Sequence, residues 1–137
     1  MQTINQTIAT STKLLIATAK KDIEYILKIS KNYNLNYFEF VPNTNYACEI
    51  KSSKKFNSLK IYEDDGTKGS GNLIVVCKLE NEKILTTFDF KENGFEYLRM
   101  INDLLKNWDD FFNNLDNVIS TKIKEQEKIS ENCEYEY

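Results

Sequence analysis

An unbroken heptad of apolar residues in the C-terminal third of the chain constrains the fold most strongly. Successive members lie three or four residues apart, which is the spacing of one face of an α-helix. The members are Leu98, Ile101, Leu105, Trp108, Phe112, Leu115 and Ile119, and the stripe is widened by Leu104, Phe111 and Val118. A stripe this wide is typical of a helix that packs on a sheet rather than of a narrow coiled coil. We therefore predict a long helix from about Asn93 to about Lys124.

A helix of this length would extend beyond the sheet that it covers. At 1.5 Å per residue it spans about 48 Å, whereas a strand of six residues covers about 20 Å. Apolar side chains on the distal half then need another partner, and a second copy of the chain is the simplest one. One prediction is therefore a homodimer through the C-terminal helix, with contact residues Trp108, Phe111, Phe112, Leu115 and Ile119.

The N-terminal part of the chain predicts another helix, with one competing interpretation. Ser11 and Thr12 are good N-cap residues, and apolar residues then recur at helical spacing. This pattern predicts a helix from about Lys13 to about Tyr33, ended by the asparagines that follow. The run KLLIATA also suits a buried strand, so a strand at residues 14–19 with a helix after it is the alternative.

The middle of the chain alternates in the manner of β-strands. In YFEF, residues 37–40, the two phenylalanines share one face and the tyrosine and glutamate share the other. A second alternating segment follows at residues 46–51, and Pro42 to Asn45 predicts the turn between the two. Further strands are expected around residues 59–61, 73–80 and 83–90.

These segments together predict an α+β fold. It consists of an N-terminal helix, an antiparallel β-meander of about five strands and a long C-terminal helix packed on the sheet. With 137 residues the chain suits one domain. We assign residues 1–124 to that domain and residues 125–137 to an acidic C-terminal tail.

The chain contains no histidine. It therefore lacks the usual general base near neutral pH, the Ser–His and Cys–His nucleophile pairs, and histidine ligands for metals. Asp109 and Asp110 are adjacent on a helix, so their side chains point about 100° apart and cannot share one substrate. We therefore predict that the protein is not an enzyme, and we expect no metal and no cofactor.

The cysteines and the apolar runs indicate a location. Cys48, Cys77 and Cys133 cannot all pair within one chain and lack the spacing of metal ligands. Free thiols indicate a reducing cytoplasm. The apolar runs are far shorter than the roughly 20 residues of a membrane helix, and the N-terminus lacks the pattern of a signal peptide. We predict a cytoplasmic protein that does not bind membranes.

Charge is unevenly distributed along the chain. The net charge is −3, but residues 1–60 hold nine lysines against four acids, and residues 61–137 hold nine basic against 17 acidic residues. This asymmetry indicates a charged partner or complementarity between copies, or else only a solvated surface. Arg99 is the only arginine, and no RNA-binding motif accompanies the tyrosines and lysines, so we do not expect nucleic acid as a partner.

Residues 63–72, EDDGTKGSGN, contain three of the four glycines of the chain. The lysine of this segment precedes a glycine, which is not the order of a phosphate-binding loop, and its acids are consecutive, which is not the spacing of a calcium loop. We expect a flexible hairpin connection between two strands. If it binds anything, we expect a protein partner at Asp64, Asp65, Gly66, Lys68, Gly69 and Gly71.

The predicted function is that of a small acidic cytoplasmic binding protein. It would act by protein–protein interaction on a partner of unknown identity, in the manner of toxin-immunity proteins or phage anti-defence inhibitors. This is an analogy of size, acidity and missing catalytic groups. Two alternatives remain open, a secretion-chaperone-like dimer and a module that sequesters a small ligand or nucleotide.

Overall fold

The computed structural model describes residues 3–64, 71–80, 85–90 and 94–134, with the side chains of residues 85, 86 and 129–134 left aside. Its elements are α1 (Ile4–Asn32), β1 (Tyr37–Phe40), β2 (Tyr46–Ser52), β3 (Phe56–Glu63), β4 (Asn72–Glu80), β5 (Leu85–Phe90), α2 (Phe95–Lys106) and α3 (Trp108–Glu134).

The five strands form one antiparallel sheet in the order β1-β2-β3-β4-β5. The predicted α+β class with its antiparallel meander is therefore confirmed. The predicted faces of the first hairpin are also confirmed, because Tyr37 lies opposite Ile50 on the buried face and Phe38 lies opposite Glu49 on the other.

Helix α1 begins earlier than the sequence pattern indicated. Thr3 caps it, since the Thr3 hydroxyl accepts from the Gln6 amide and the Gln6 side chain accepts from the Thr3 amide. The predicted start at Lys13 is therefore wrong, and so is the alternative of a strand at residues 14–19. The predicted end is close, because Asn34 has a φ of 52° and follows the last turn as a left-handed residue.

The predicted single C-terminal helix is divided into α2 and α3 at Asn107. The Asn107 amide donates to the Asp103 carbonyl at 2.9 Å, and the Phe111 amide donates to the Asn107 carbonyl at 3.0 Å. Helical hydrogen bonds therefore bridge the junction, and the apolar stripe continues across it. Helix α3 runs to Glu134, so no helix end marks the predicted boundary at residue 125, and the tail assignment stays a prediction.

The three helices contribute to one core on one face of the sheet. Helix α1 contacts β2 to β5, α2 packs on α1 and β4, and α3 packs on α1. The largest fully buried side chains come from all three helices and from the inner face of the sheet, and include Trp108, Tyr97, Phe111, Leu15, Ile23, Ile50, Leu59 and Ile61. Helix α1, rather than the C-terminal helix alone, therefore covers the sheet.

A β-bulge joins the sheet to α2. The register between β3 and β4 shifts next to Ile61 and Tyr62, which leaves Ile74 as the additional residue of β4. The Tyr97 hydroxyl of α2 donates to the Ile74 carbonyl at 2.5 Å. The carbonyl at the irregular position thus receives a hydrogen bond from the helix layer, as a buried polar group requires.

Candidate functional site

The face of the sheet opposite the helices carries a group of aromatic side chains at one end, of which Phe38 is exposed and Phe40 and Tyr62 are half-buried. Phe38 of β1 is 69% exposed. Its ring meets that of Tyr62 edge to face, with 6.3 Å between centroids. Phe40 and Tyr62 lie in one row of this face, since both flank Ala47 in the register. The outer face thus has an apolar corner formed by β1, β2 and β3.

A shallow cavity of about 330 Å³ lies at this corner. We call it the outer-face groove, and its lining includes Phe38, Phe40, Ala47, Tyr62, Asp64 and Gly71. Its volume is at the lower end of the range for ligand pockets. The described ends of the EDDGTKGSGN segment therefore lie beside the aromatic corner.

The structure brings together two of the six residues predicted to bind a partner. Asp64 and Gly71 line the outer-face groove, and the Asp64 amide donates to the Asn45 carbonyl at 2.9 Å. The other four, Asp65, Gly66, Lys68 and Gly69, lie outside the described residues. Because β3 and β4 pair as an antiparallel hairpin, the prediction that this segment connects two strands is confirmed.

Gly71 is a glycine for a steric reason. A Cβ atom at this position would lie 2.9 Å from the carbonyl oxygen of Glu63 and 3.1 Å from the Cβ of Tyr62. Backbone of the neighbouring strand cannot yield as the end of a flexible side chain can. Gly71 therefore permits the close approach of β3 and β4 at this point, whether or not the segment also touches a partner.

A second cavity, of about 320 Å³, lies between β1 and α3. We call it the edge groove. Strand β1 contributes Tyr37, Glu39 and Phe40, and α3 contributes Asn114, Asn117, Val118, Thr121, Lys122 and Glu125. A third cavity, of about 260 Å³, borders Tyr37 and Phe38 at the start of the same strand. Strand β1 therefore has cavities on both of its faces.

Strand β1 also lies at the edge of the sheet, since β2 is its only neighbour in the described strand order. The Val41 amide donates to the Tyr46 carbonyl at 2.8 Å. Residues of an antiparallel ladder bond to the neighbouring strand alternately. The amide and carbonyl groups of Glu39 and Tyr37 therefore face β2, and those of Phe38 and Phe40 face away from the sheet.

Two interactions hold the Tyr37 side chain at this edge. Its hydroxyl donates to the Phe40 carbonyl at 2.9 Å, and the Lys122 ammonium lies 5.2 Å from the centroid of its ring. Burial raises the pKa of Tyr37 above the usual phenol value, so the hydroxyl keeps its proton and remains a donor. The contact with Lys122 joins α3 to β1.

Carboxylates prevail among the charged groups of the edge groove. Glu39 and Glu125 are both exposed, and the one lysine that lines the groove, Lys122, contacts the Tyr37 ring. On the outer face Glu49 is balanced instead, with Lys51 at 3.5 Å and Lys60 at 3.8 Å. Glu39 also lines the outer-face groove, together with Asp64, so carboxylates outnumber ammonium groups in the lining of both grooves.

The single arginine is occupied by carboxylates of the chain itself. Arg99 donates to both carboxylate oxygens of Glu63, at 2.7 and 3.1 Å, and also to Glu96 and Asp103. The hydrogen bonds that Arg99 donates to Glu63 and Glu96 raise the pKa of Arg99. Its guanidinium fork is thus used to join α2 to β3 and is not held open for a phosphate.

The residues predicted for self-association lie in the core of the protomer. Trp108, Phe111, Leu115 and Ile119 are each at most 1% exposed, and half-buried Phe112 packs edge to face on Tyr25. The expectation that these side chains project past the sheet is wrong, because α1 and the inner face of the sheet cover them. Whether the protein forms a dimer stays a prediction, but the four buried side chains are not open to a second copy.

The described cysteine thiols are buried, and the described acidic side chains are not grouped as a metal site. Cys48 and Cys77 are free and buried, and burial raises the pKa of both thiols, which keeps them in the unreactive protonated form. Within the described ranges, no three His, Cys, Asp or Glu side chains are grouped in a way that could hold a metal ion. Cys133 is among the residues whose side chains are not described.

Among the helices that the structure describes, none has the length and apolar character needed to cross a membrane.

Phe38, Phe40 and the β1 edge were not among the predicted site residues. The sequence contains one signal for them. YFEF places aromatic residues on both faces of a strand, whereas a sheet covered by helices on one side buries only one of its faces. The aromatic residues of the other face therefore remain at the surface. The contribution of α3 to the edge groove has no such signal, since it depends on how two distant segments pack.

Comparison of the chain with protein-family models, with curated proteins and with solved structures gives no match. Evidence on function has therefore to come from the surface of this protein.

Proposed function

We propose that the protein binds another protein through the outer-face groove and acts by occupying the surface of that partner, as toxin-immunity proteins and phage anti-defence inhibitors do. One observation carries the proposal. Phe38, a large aromatic side chain in a strand, is 69% exposed on the face that the helices leave open.

The surroundings of Phe38 support a protein interface in particular. Phenylalanine and tyrosine are enriched at the centres of interfaces, where aromatic anchors supply much of the binding energy. Phe38, Phe40 and Tyr62 stand together on strands of the sheet, so little conformational freedom would be lost on binding. The net charge of −3 favours a basic partner and an affinity that falls with added salt.

Affinity capture from the native host with three forms of the protein tests the proposal. The forms are the wild type, Phe38→Ser, and the matched control Phe95→Ser, whose phenylalanine is 79% exposed but lies on α2 and does not line the groove. We expect the wild type and Phe95→Ser to retain the same dominant partner. Phe38→Ser should bind it more than about tenfold more weakly, because loss of a central aromatic anchor typically costs that much or more.

Equal capture of the partner by all three forms would contradict the proposal. The two alternatives have other signatures. A chaperone-like protein should retain an unfolded segment of its client, and a ligand-sequestering module should show a ligand-dependent rise in melting temperature in a metabolite screen. Either result without a folded protein partner would replace the proposed function.

A further inference from the structure

We propose that the partner is held in part as a sixth strand, an extended segment with alternating apolar and basic side chains that pairs with the free edge of β1. This binding mode rests on the proposed function, because it specifies how the partner reaches the surface around Phe38.

The backbone of β1 provides the pairing groups. The amides and carbonyls of Phe38 and Phe40 face away from β2, as the bond from the Val41 amide to the Tyr46 carbonyl and the strand register require. An added strand uses such groups for main-chain hydrogen bonds, which supply affinity without dependence on sequence. The Phe40 carbonyl already accepts from Tyr37, and its second lone pair remains for the added strand.

Strand β1 carries two features that discourage pairing at an edge, its length of four residues and the charge of Glu39 on the side of α3, but it lacks three others. Natural edges are often blocked by lysine, by proline or by a bulge. Tyr37–Phe40 contains neither lysine nor proline, and its pairing with β2 is regular over all four residues. Helix α3 lies beside the strand but leaves the edge groove between them, so an extended chain has room there.

The side chains of β1 determine the pattern that fits. In an antiparallel or parallel pair, residues directly opposite each other share a face of the sheet. Residues of the partner opposite Phe38 and Phe40 would therefore lie on the outer face beside the aromatic rings, which favours apolar side chains. The residue opposite Glu39 would point into the edge groove beside α3.

The charges that line the edge groove determine which residue of the partner fits between its two apolar residues. Glu39 and Glu125 line this groove, and the ammonium of Lys122 lies over the Tyr37 ring. An opposite-charge pair across two strands is favourable, and a like-charge pair is unfavourable. The Phe-Glu-Phe of β1 therefore calls for an apolar, basic, apolar sequence in the segment that it binds.

A synthetic peptide tests this without the natural partner. The probe is acetyl-Lys-Val-Lys-Val-Lys-Val-Lys-amide, and its control is the same peptide with every internal backbone amide N-methylated, which keeps the charge but removes the donors that strand pairing needs. We expect the probe, and not the control, to protect the amides of Phe38 and Phe40 from hydrogen exchange as followed by NMR. Protection from both peptides alike, or from neither, would overturn the proposal.

Two variants at one position separate the backbone contribution from the side-chain contribution. Phe38→Ala removes the ring, whereas Phe38→Pro removes both the ring and the amide hydrogen that faces away from β2. Because that amide does not bond to β2, the hydrogen bonds between β1 and β2 stay intact in the proline variant. With unchanged melting temperatures as the check on folding, we expect the proline variant to bind the probe about fivefold more weakly than the alanine variant. Equal binding by the two would overturn strand addition.

The identity of the strand that pairs with β1 and the proposed function are tested by different outcomes. If light scattering shows the free wild type to be a dimer that Phe38→Pro dissociates, the edge pairs with a second copy and the inference is wrong. If the captured partner binds the alanine and proline variants equally, the proposed function stands and strand addition fails. Failure of the proposed function itself would appear as equal capture of the partner by the wild type and Phe38→Ser.

Discussion

At the scale of single residues, Trp108 shows how one polar atom fixes a core side chain. The indole Nε1 donates to the Asp22 carboxylate at 2.8 Å, while the ring is 1% exposed and packs on Phe111 with 5.4 Å between centroids. A buried indole usually finds such a partner for its N–H group. The bond joins α3 to α1, two helices that are far apart in the chain.

Trp108→Phe should destabilise the protein mainly through this bond. The ring is largely replaced, but the partly buried Asp22 carboxylate loses its donor, and we expect the free energy of unfolding to fall by about 1–3 kcal/mol. Urea unfolding followed by far-UV circular dichroism measures the change. In a background of Asp22→Ala the same substitution should cost less, and an equal cost in both backgrounds would show that the bond contributes nothing.

At the scale of elements, the start of α2 depends on the backbone of Gly94. This residue has φ 108° and ψ 175°, a region that only glycine adopts readily. Apart from its neighbours in the chain, no described residue has an atom within 4 Å of the position where a Cβ would be. The requirement for glycine here is conformational, in contrast to Gly71, where it is steric.

Gly94→Ala should therefore be destabilising although there is room for the methyl group. We expect a loss of about 1–3 kcal/mol, the usual cost of forcing a residue with a side chain into this region. Thermal unfolding of Gly94→Ala beside Lys21→Ala, a substitution at an exposed position of α1, measures it. If both variants match the wild type, the start of α2 does not require this backbone conformation.

The apolar stripe of the C-terminal helices was predicted at the right place but centred on a neighbouring row. The buried members at the two central turns are Leu104 and Phe111, whereas Leu105 and Phe112 are only half-buried. Periodicity locates a stripe to within about one residue, because the spacing of an α-helix lies between the steps of three and four. Packing against α1 and against Tyr46, whose ring contacts Phe111, determines which edge of the stripe is fully buried.

At the scale of the whole molecule, Arg99 links the sheet to the helix layer. It bonds Glu63 of β3 as well as Glu96 and Asp103 of its own helix. Hydrogen bonding to Arg99 lowers the pKa of Glu96 below its ordinary value. A carboxylate with a lowered pKa in the folded state stabilises the protein above its unfolded pKa, and that contribution is lost as pH falls through the folded value.

Arg99→Gln should therefore change how stability depends on pH. We expect the melting temperature of the variant to fall below that of the wild type at neutral pH, and the gap to narrow as pH falls below the ordinary glutamate pKa of about 4.3. Thermal unfolding at low salt over this pH range measures the gap. The control is Lys20→Gln, which makes the same charge change at an exposed position of α1. If its melting temperature differs from that of the wild type by the same amount and with the same pH dependence, the effect comes from net charge alone.

The sequence by itself determined the fold class, the order of the elements, the faces of the first hairpin and the connection between β3 and β4. These depend on residue periodicity and turn residues, which act over a few neighbours along the chain. The capping box at Thr3 was also visible locally, as threonine followed three residues later by glutamine. For the candidate site, the same local information indicated Asp64 and Gly71.

Only the tertiary structure decided which surfaces remain open. It buried Trp108 and Phe111 inside the protomer, left Phe38 exposed and placed α3 beside the edge of β1. Periodicity states that a face is apolar but not which element covers it, since that depends on packing between segments distant in sequence. The open edge of β1 and its acidic groove are products of that packing.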